Sequence, residues 1–255
     1  MKQVFALAFM LAALLAQATE TVRVGVVVFP PYIVPTADGQ SMHVELLDIM
    51  NEFQSDYHFV PVVSGPIRRF KDFEAGRYDL SFFDNLLWGW EGQPASASEV
   101  FLSGAEVYVA LAKYGRDEHY FDELAGKRMI GMLGYHYGFA NYNADPAYLE
   151  DNFRMVLTSD NEATIKVLLA RRGDVAVVTE AYLSSYLLDH PALKASLLIS
   201  KRKDQVYSHS VIVRNGVHPT PEEINKLFAR MRKAGVLRAL WHKYGVAEDG
   251  SMLPP

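Results

Sequence analysis

"FEAGRYDLSFFDNLLWGWEG", residues 73–92, decides the reading of this chain. Gly76 stops a helix expected over 67–75, and a buried strand follows over 78–83. The apolar run then breaks into Asp84-Asn85, with Trp88 and Trp90 close behind. A helix, a glycine stop, a buried strand and a polar turn make one unit of an alternating α/β fold.

The same rhythm extends in both directions. "VRVGVVVF" (22–29) is a β-branched strand bounded by Pro30-Pro31. A turn at Asp38-Gly39 precedes a helix at 44–53, and "FVPVV" (59–63) reads as a strand that Pro61 places at a sheet edge. Downstream, "RMIGML" (128–133), "DVAVVT" (174–179), "SLLIS" (196–200) and "HSVIVR" (209–214) read as strands. Ser159 with Glu162 forms a capping box for a helix at 160–171, and a further helix is expected at 181–189. Thr220-Pro221-Glu222-Glu223 is a second capping box, with proline at the first helical position. The helix it opens lines up Ile224, Leu227, Phe228 and Met231. Gly235 interrupts, and Leu237, Leu240, Trp241 and Tyr244 continue the stripe. The alternation predicts α/β layers with largely parallel sheets.

Composition narrows the function. The 255 residues are half hydrophobic, enough for a sizeable core, and the formal charge is −5. No basic stripe exists, so nucleic acid is not an expected partner. Cysteine is absent, which excludes disulfides, thiol nucleophiles and thiolate metal sites. Lys2, the apolar stretch 4–15 and Ala16-Gln17-Ala18 have the layout of a cleaved signal peptide, so residues 1–18 are expected to be removed on export, most simply to a bacterial periplasm. No H-E-x-x-H, G-x-S-x-G or phosphate loop is present.

"FPPYIVPTADGQ", "FEAGRYDLSFF", "ELAGKRMIGMLGYHYG", "LLARRGDVAVVTEAYLSSYL" and "MRKAGVLRALWHKYGV" stand in that order along the chain. Together they resemble the family 3 solute-binding proteins of polar-amino-acid ABC importers. The resemblance implies an α/β, two-lobed periplasmic-binding-protein-like (type II) fold with the ligand in a cleft between lobes. Lobe 1 would comprise residues 19–107 plus 212–255, and lobe 2 residues 108–211. It further implies a monomer that binds a small molecule, needs no cofactor or metal, and docks on an inner-membrane ABC permease or a sensor protein. The same fold also hosts a dehydratase of the arogenate/prephenate class, which leaves an enzyme as the lesser alternative.

The chain departs from the family at one point. Amino-acid binders usually carry Thr-x-x-Arg after the strand at 78–83, and its arginine clamps the ligand carboxylate. Here no arginine occurs from Asp79 to Gly115, which argues against a standard α-amino-acid ligand. Arg68, at the start of the preceding helix, is the substitute considered, against its reading as a solvated surface arginine beside Arg69. Asp84, Asn85 and Trp88 follow a strand's carboxyl end and are expected to face the cleft, with Trp90 beside them. Gly134 opens a strand–glycine turn whose N–H groups suit a carbonyl or anion, and Tyr135 and His136 follow on the same wall. Glu180 stands where the family often has the acid that takes the ligand's amino group. Phe29 and Tyr32, with Trp88 and Tyr135, would sandwich a planar or cationic group.

Overall fold

The computed structural model describes residues 19–35 and 41–247. The expected signal peptide and the turn at Asp38-Gly39 lie outside them. Strand β1 (Glu20–Val26) pairs in parallel with β2 (Tyr57–Val63) and with β3 (Leu80–Asp84). β2 is the edge strand, where the missing N–H of Pro61 costs no ladder bond. Helix α1 (Met42–Phe53) buries Met42, Leu46, Leu47 and Met50, one face of a 3.6-residue period, and the short helix α2 (Arg69–Glu74) precedes β3.

A short strand, β4 (Ala95–Ala97), leads to β5 (Leu102–Leu111). A second group of parallel strands follows: β6 (Met129–Met132), β7 (Val156–Thr158) and β8 (Val175–Thr179). Helices α3 (Pro146–Phe153), α4 (Asn161–Leu169) and α5 (Glu180–Asp189) belong to this half. The longest element is β9 (Leu197–Arg214). Its last residues pair antiparallel with β3 and β4, and its longer remainder with β5, which in turn pairs with β8. β9 thus joins the two groups in the order β2-β1-β3-β9-β5-β8-β6-β7.

Three expectations are corrected. The separate strands at 196–200 and 209–214 are one continuous strand, because the polar run between them, "KRKDQVYS", pairs with β5 and need not be apolar to do so. The sheets are not largely parallel: β9 and β5 cross back through the middle and make four of the eight pairings antiparallel. The N-cap of α4 is Asp160, whose carboxylate accepts from Ala163 N at 2.7 Å, while Ser159 Oγ donates to that carboxylate at 2.7 Å. A charged cap at this position stabilises the helix dipole more than a hydroxyl would.

One core cluster gathers β1, β3 and α1 with α6 (Pro221–Lys233) and α7 (Val236–Lys243). Two others cover the opposite faces of the second sheet, one including Val107, Val109 and Val178, the other Tyr108, Ala110 and Val177. The even and odd residues of β5 and β8 are therefore both buried, as in a sheet covered on both sides. The capping box of α6 forms as expected, with Thr220 Oγ1 accepting from Glu223 N and Glu223 Oε2 accepting from Thr220 N. Thr220→Ala is expected to lower stability by about 1 kcal/mol, read by urea denaturation.

Candidate functional site

Three strands from the two groups end at one place. β1 runs on into Val27, Val28 and Phe29; β3 ends at Asp84; β6 continues into Gly134, Tyr135 and His136. All of these residues line a single cavity, together with Arg69, Trp88, Glu106 and Gln205. Strand carboxyl ends at a crevice between sheets are where open α/β folds bind ligands.

The walls meet across the cavity. Gly134 holds φ +80°, and a Cβ there would lie 2.9 Å from Pro66 Cβ. Gly89 (φ +82°) has the same relation to His136 Cε1, at 2.9 Å. Gln205 on β9 bridges the two sides, accepting from Trp88 Nε1 at 3.1 Å and donating to His136 O at 2.6 Å. Gly134→Ala is expected to force an unfavourable left-handed conformation of roughly 1–2 kcal/mol and to push the walls apart. Small-angle scattering should then show a larger radius of gyration than the parent's.

Asp84 lines the cavity, but its carboxylate is already taken. It accepts from Ser81 Oγ (2.9 Å), Asn85 N (2.9 Å), Trp90 Nε1 (2.8 Å) and Arg69 Nη1 (3.2 Å). Phe83 makes this possible. Its φ of +54° breaks the strand's alternation, so Ser81 and Asp84, three residues apart, share one side. Asp84 therefore positions Arg69 and has no lone pair to spare for a ligand, contrary to its expected role. Asn85 caps the same turn, accepting from Leu87 N at 2.9 Å and donating to Ser208 O at 3.2 Å; it does not line the cavity.

Arg68 points away, its side chain 55 % exposed and paired with Asp72 at 3.0 Å. The arginine at the cavity is its neighbour. Arg69 is buried, its Nη2 donates to Trp88 O at 2.6 Å, and its guanidinium lies 4.5 Å from the Phe70 ring centre. The signal for it was helical: Arg69 stands four residues before the buried Phe73, on the inward face, whereas Arg68 faces out.

Glu180 is likewise not at the cavity. It opens α5 half-exposed and is paired with Lys203. Besides Asp84, the acid that lines the cavity is Glu106, buried in β5 opposite Gln205 and beside Thr179 of β8. Thr179 Oγ1 donates to its Oε1 at 2.9 Å, and burial raises the Glu106 pKa well above the usual carboxylate range. Sequence reading passed over it because a single acid inside "LSGAEVYVAL" looks like a solvated position.

The aromatic residues do gather. Phe29 meets Tyr32 (5.3 Å between ring centres), Trp88 (5.6 Å) and Tyr135 (5.5 Å). Tyr32 lies behind the lining, stacked on Phe83 at 5.5 Å. β9 adds Tyr207 and His209 to the cluster. Burial lowers the His209 pKa to about 3, and burial with the nearby Arg69 charge lowers that of His136 to about 4. Both rings are neutral at pH 7, and His136 hydrogen-bonds Tyr142 O through Nδ1 at 2.7 Å. Among the described residues, no group of three or more His, Asp or Glu side chains is placed to hold a metal.

No protein-family model matches the sequence, and no curated protein matches it. Solved structures do. The fold is the two-lobed α/β fold of the type II periplasmic binding proteins, as the resemblance implied. Similar structures include Tv2483 bound to L-arginine (TM-score 0.71, 14 % identity, 90 % of this chain and 92 % of that one). Another is the substrate-binding protein of a Streptococcus pneumoniae ABC uptake transporter with bound histidine (0.70, 15 %, 90 % and 94 %). A third is the GluR0 ligand-binding core from Nostoc punctiforme with L-glutamate (0.67, 15 %, 88 % and 98 %).

Proposed function

We propose that this chain is an exported solute-binding protein of the family 3 type. It captures a small polar solute by closing two lobes on it and presents the closed form, as a monomer, to an inner-membrane ABC permease. One observation carries the reading: a cavity at the carboxyl ends of β1, β3 and β6 is sealed by residues from both sheet groups, Pro66 against Gly134 and Trp88 through Gln205 to His136. Such contacts exist only when the lobes are closed, so a ligand that bridges them shifts the population toward that state.

The lobes are assigned as residues 19–107 plus 212–255 and 108–211. The separate core clusters support this division, with β9 running through both. Export rests on the signal-like start, and no helix among the described residues is long and apolar enough to cross a membrane. The ligand-facing residues are Phe29, Trp88, Gly134, Tyr135 and His136, with Arg69 and Glu106 in place of Arg68 and Glu180.

The test is calorimetry on the mature protein against a panel of amino acids, amines and small polar metabolites, paired with small-angle scattering. One-to-one binding with a fall in radius of gyration is expected for at least one solute. Binding by none, or binding without compaction, would overturn the reading. Mass spectrometry of the recovered solute separates binding from turnover, the point at issue for a fold that an ancestral precursor of cyclohexadienyl dehydratase also adopts.

A further inference from the structure

At the cavity, Glu106 Oε2, the Tyr135 hydroxyl and Arg69 Nε make no hydrogen bond of ordinary geometry, nor behind it do His209 and the hydroxyls of Tyr32 and Tyr207. The tyrosine hydroxyls do interact at longer range, Tyr32 with Tyr207 and Tyr135 with Thr179, so Glu106 Oε2 is the acceptor left without a donor. Folded proteins leave only a few such groups unmet, and each calls for an explanation. Glu106 is only 1 % exposed and lines the cavity, as does Tyr135. Tyr207 stands two residues from Gln205, which is directly opposite Glu106, so the alternation of β9 turns its ring to the same side. The carboxyl is fixed rather than floppy, because Thr179 holds its other oxygen.

The missing partner must satisfy two demands. It must donate hydrogen bonds to meet the ionised form, whose oxygens can only accept them. It must also be positive, because the protein supplies Glu106 with no cation of its own. Arg69 is held by Asp84 and the Trp88 carbonyl, and Lys203 is paired with Glu180. The charge that acts on Glu106 from nearby is that of Asp204, which repels it. Burial keeps the carboxyl protonated while no cation is near: a neutral donor would leave it so, an anion would oppose its ionisation, and a cation would drive it. The electron-rich faces of Phe29, Trp88 and Tyr135 favour a cation as well.

Resting on the binding-protein reading above, we propose that the solute carries a primary ammonium group and that Glu106 of β5, not Glu180, is its counter-ion. Its N–H donors then meet Glu106 Oε2 and the Tyr135 hydroxyl, the two unmet oxygens on the cavity wall. The carboxylate at the entry to α5 is left to its lysine.

The probes are ethanolamine, putrescine and L-arginine, with choline as a cation lacking N–H donors, and ethylene glycol and glutarate as neutral and anionic controls. Calorimetry on the mature protein is expected to show binding of one or more of the three ammonium compounds, no binding of glutarate, and a loss of at least 100-fold in Glu106→Gln. Glu180→Gln should change affinity less than threefold. If Glu106→Gln does not fold, Thr179→Val, which frees the carboxyl from its holder, should weaken the same probe several-fold. Choline binding in preference to all three would overturn the ammonium assignment. Unchanged affinity in Glu106→Gln would overturn the residue. Should another solute close the lobes while every ammonium probe fails, the inference falls and the binding-protein reading stands; if no solute of any charge binds, both fall.

Discussion

Arg69→Met is expected to destabilise the protein by roughly 3–5 kcal/mol, the usual effect of removing one partner from a buried ion pair. Asp84 is only 3 % exposed, and Arg69 is the cation that meets it. Ser81, Asn85 and Trp90 would still donate to the carboxylate, but none brings a positive charge. The Trp88 carbonyl would also lose its guanidinium donor. For a chain of this size the loss corresponds to a fall in Tm on the order of 10 °C. Arg68→Met, one residue away, should have little effect, because that side chain is half in solvent and its partner Asp72 keeps Ser64 and Arg77. Adding Asp84→Asn to Arg69→Met should restore part of the stability, since the amide has no charge left to compensate. Thermal melts of the four proteins by circular dichroism check this; equal melts for the Arg68 and Arg69 variants would remove Arg69 from its buried role.

Glu106→Gln should move stability the other way. Burial raises the pKa of Glu106 in the fold, while in the unfolded chain it titrates near 4.5. Between those values the folded state binds more protons than the unfolded one, so stability falls as pH rises through that window. Below the unfolded value the penalty vanishes. The groups facing Glu106 do not relieve it: Thr179 donates one bond, Tyr32, Tyr135 and Tyr207 carry no charge at neutral pH, Asp204 repels, and His209 is neutral. Glutamine escapes the titration. The ligand-free variant is therefore expected to be more stable than the parent at pH 8, by on the order of 1–3 kcal/mol, with the gain shrinking toward pH 4. Urea melts at pH 4, 6 and 8 measure the difference, in which the shared histidines cancel. A pH-independent difference would show that Glu106 is solvated or paired. A site that loses stability to keep an acid in its core is consistent with that acid serving a ligand.

Much of the fold was legible because it depends on local periodicity. The inward faces of α1, α6 and α7 repeat at helical spacing, and β1, β6 and β8 are β-branched or apolar runs bounded by turn residues. Gly76 and Gly235 stop helices because only glycine takes their φ of +67° and +78° without strain. β5 and the middle of β9 were not legible. Their inward residues, Glu106, Gln205, Tyr207 and His209, are polar or amphipathic, while Val206 between them is 73 % exposed. This inverts the pattern that marks a half-buried strand.

The candidate site divides along the same line. Phe29, Trp88, Gly134, Tyr135 and His136, expected at the cleft because each sits just past a strand end, all line the cavity. Arg68 and Glu180 were each one residue or one strand from the side chain that lines the cavity. A helix turns 100° per residue, so Arg68 and Arg69 differ in facing although they are alike in type. Glu106 is brought to Thr179 and Gln205 by pairings 73 and 99 residues apart in sequence.

The sequence by itself determined the alternation of β1, β2, β3, β6 and β8 with their helices, the edge place of β2, the capping box of α6 and the strand-end turns that build the cleft, since all follow from short-range spacing and backbone preference. Only the tertiary structure decided which charges are buried and with whom. That choice is made by long-range strand pairing and by the electrostatic cost of an unpaired ion away from water, and neither is written in any local stretch of residues.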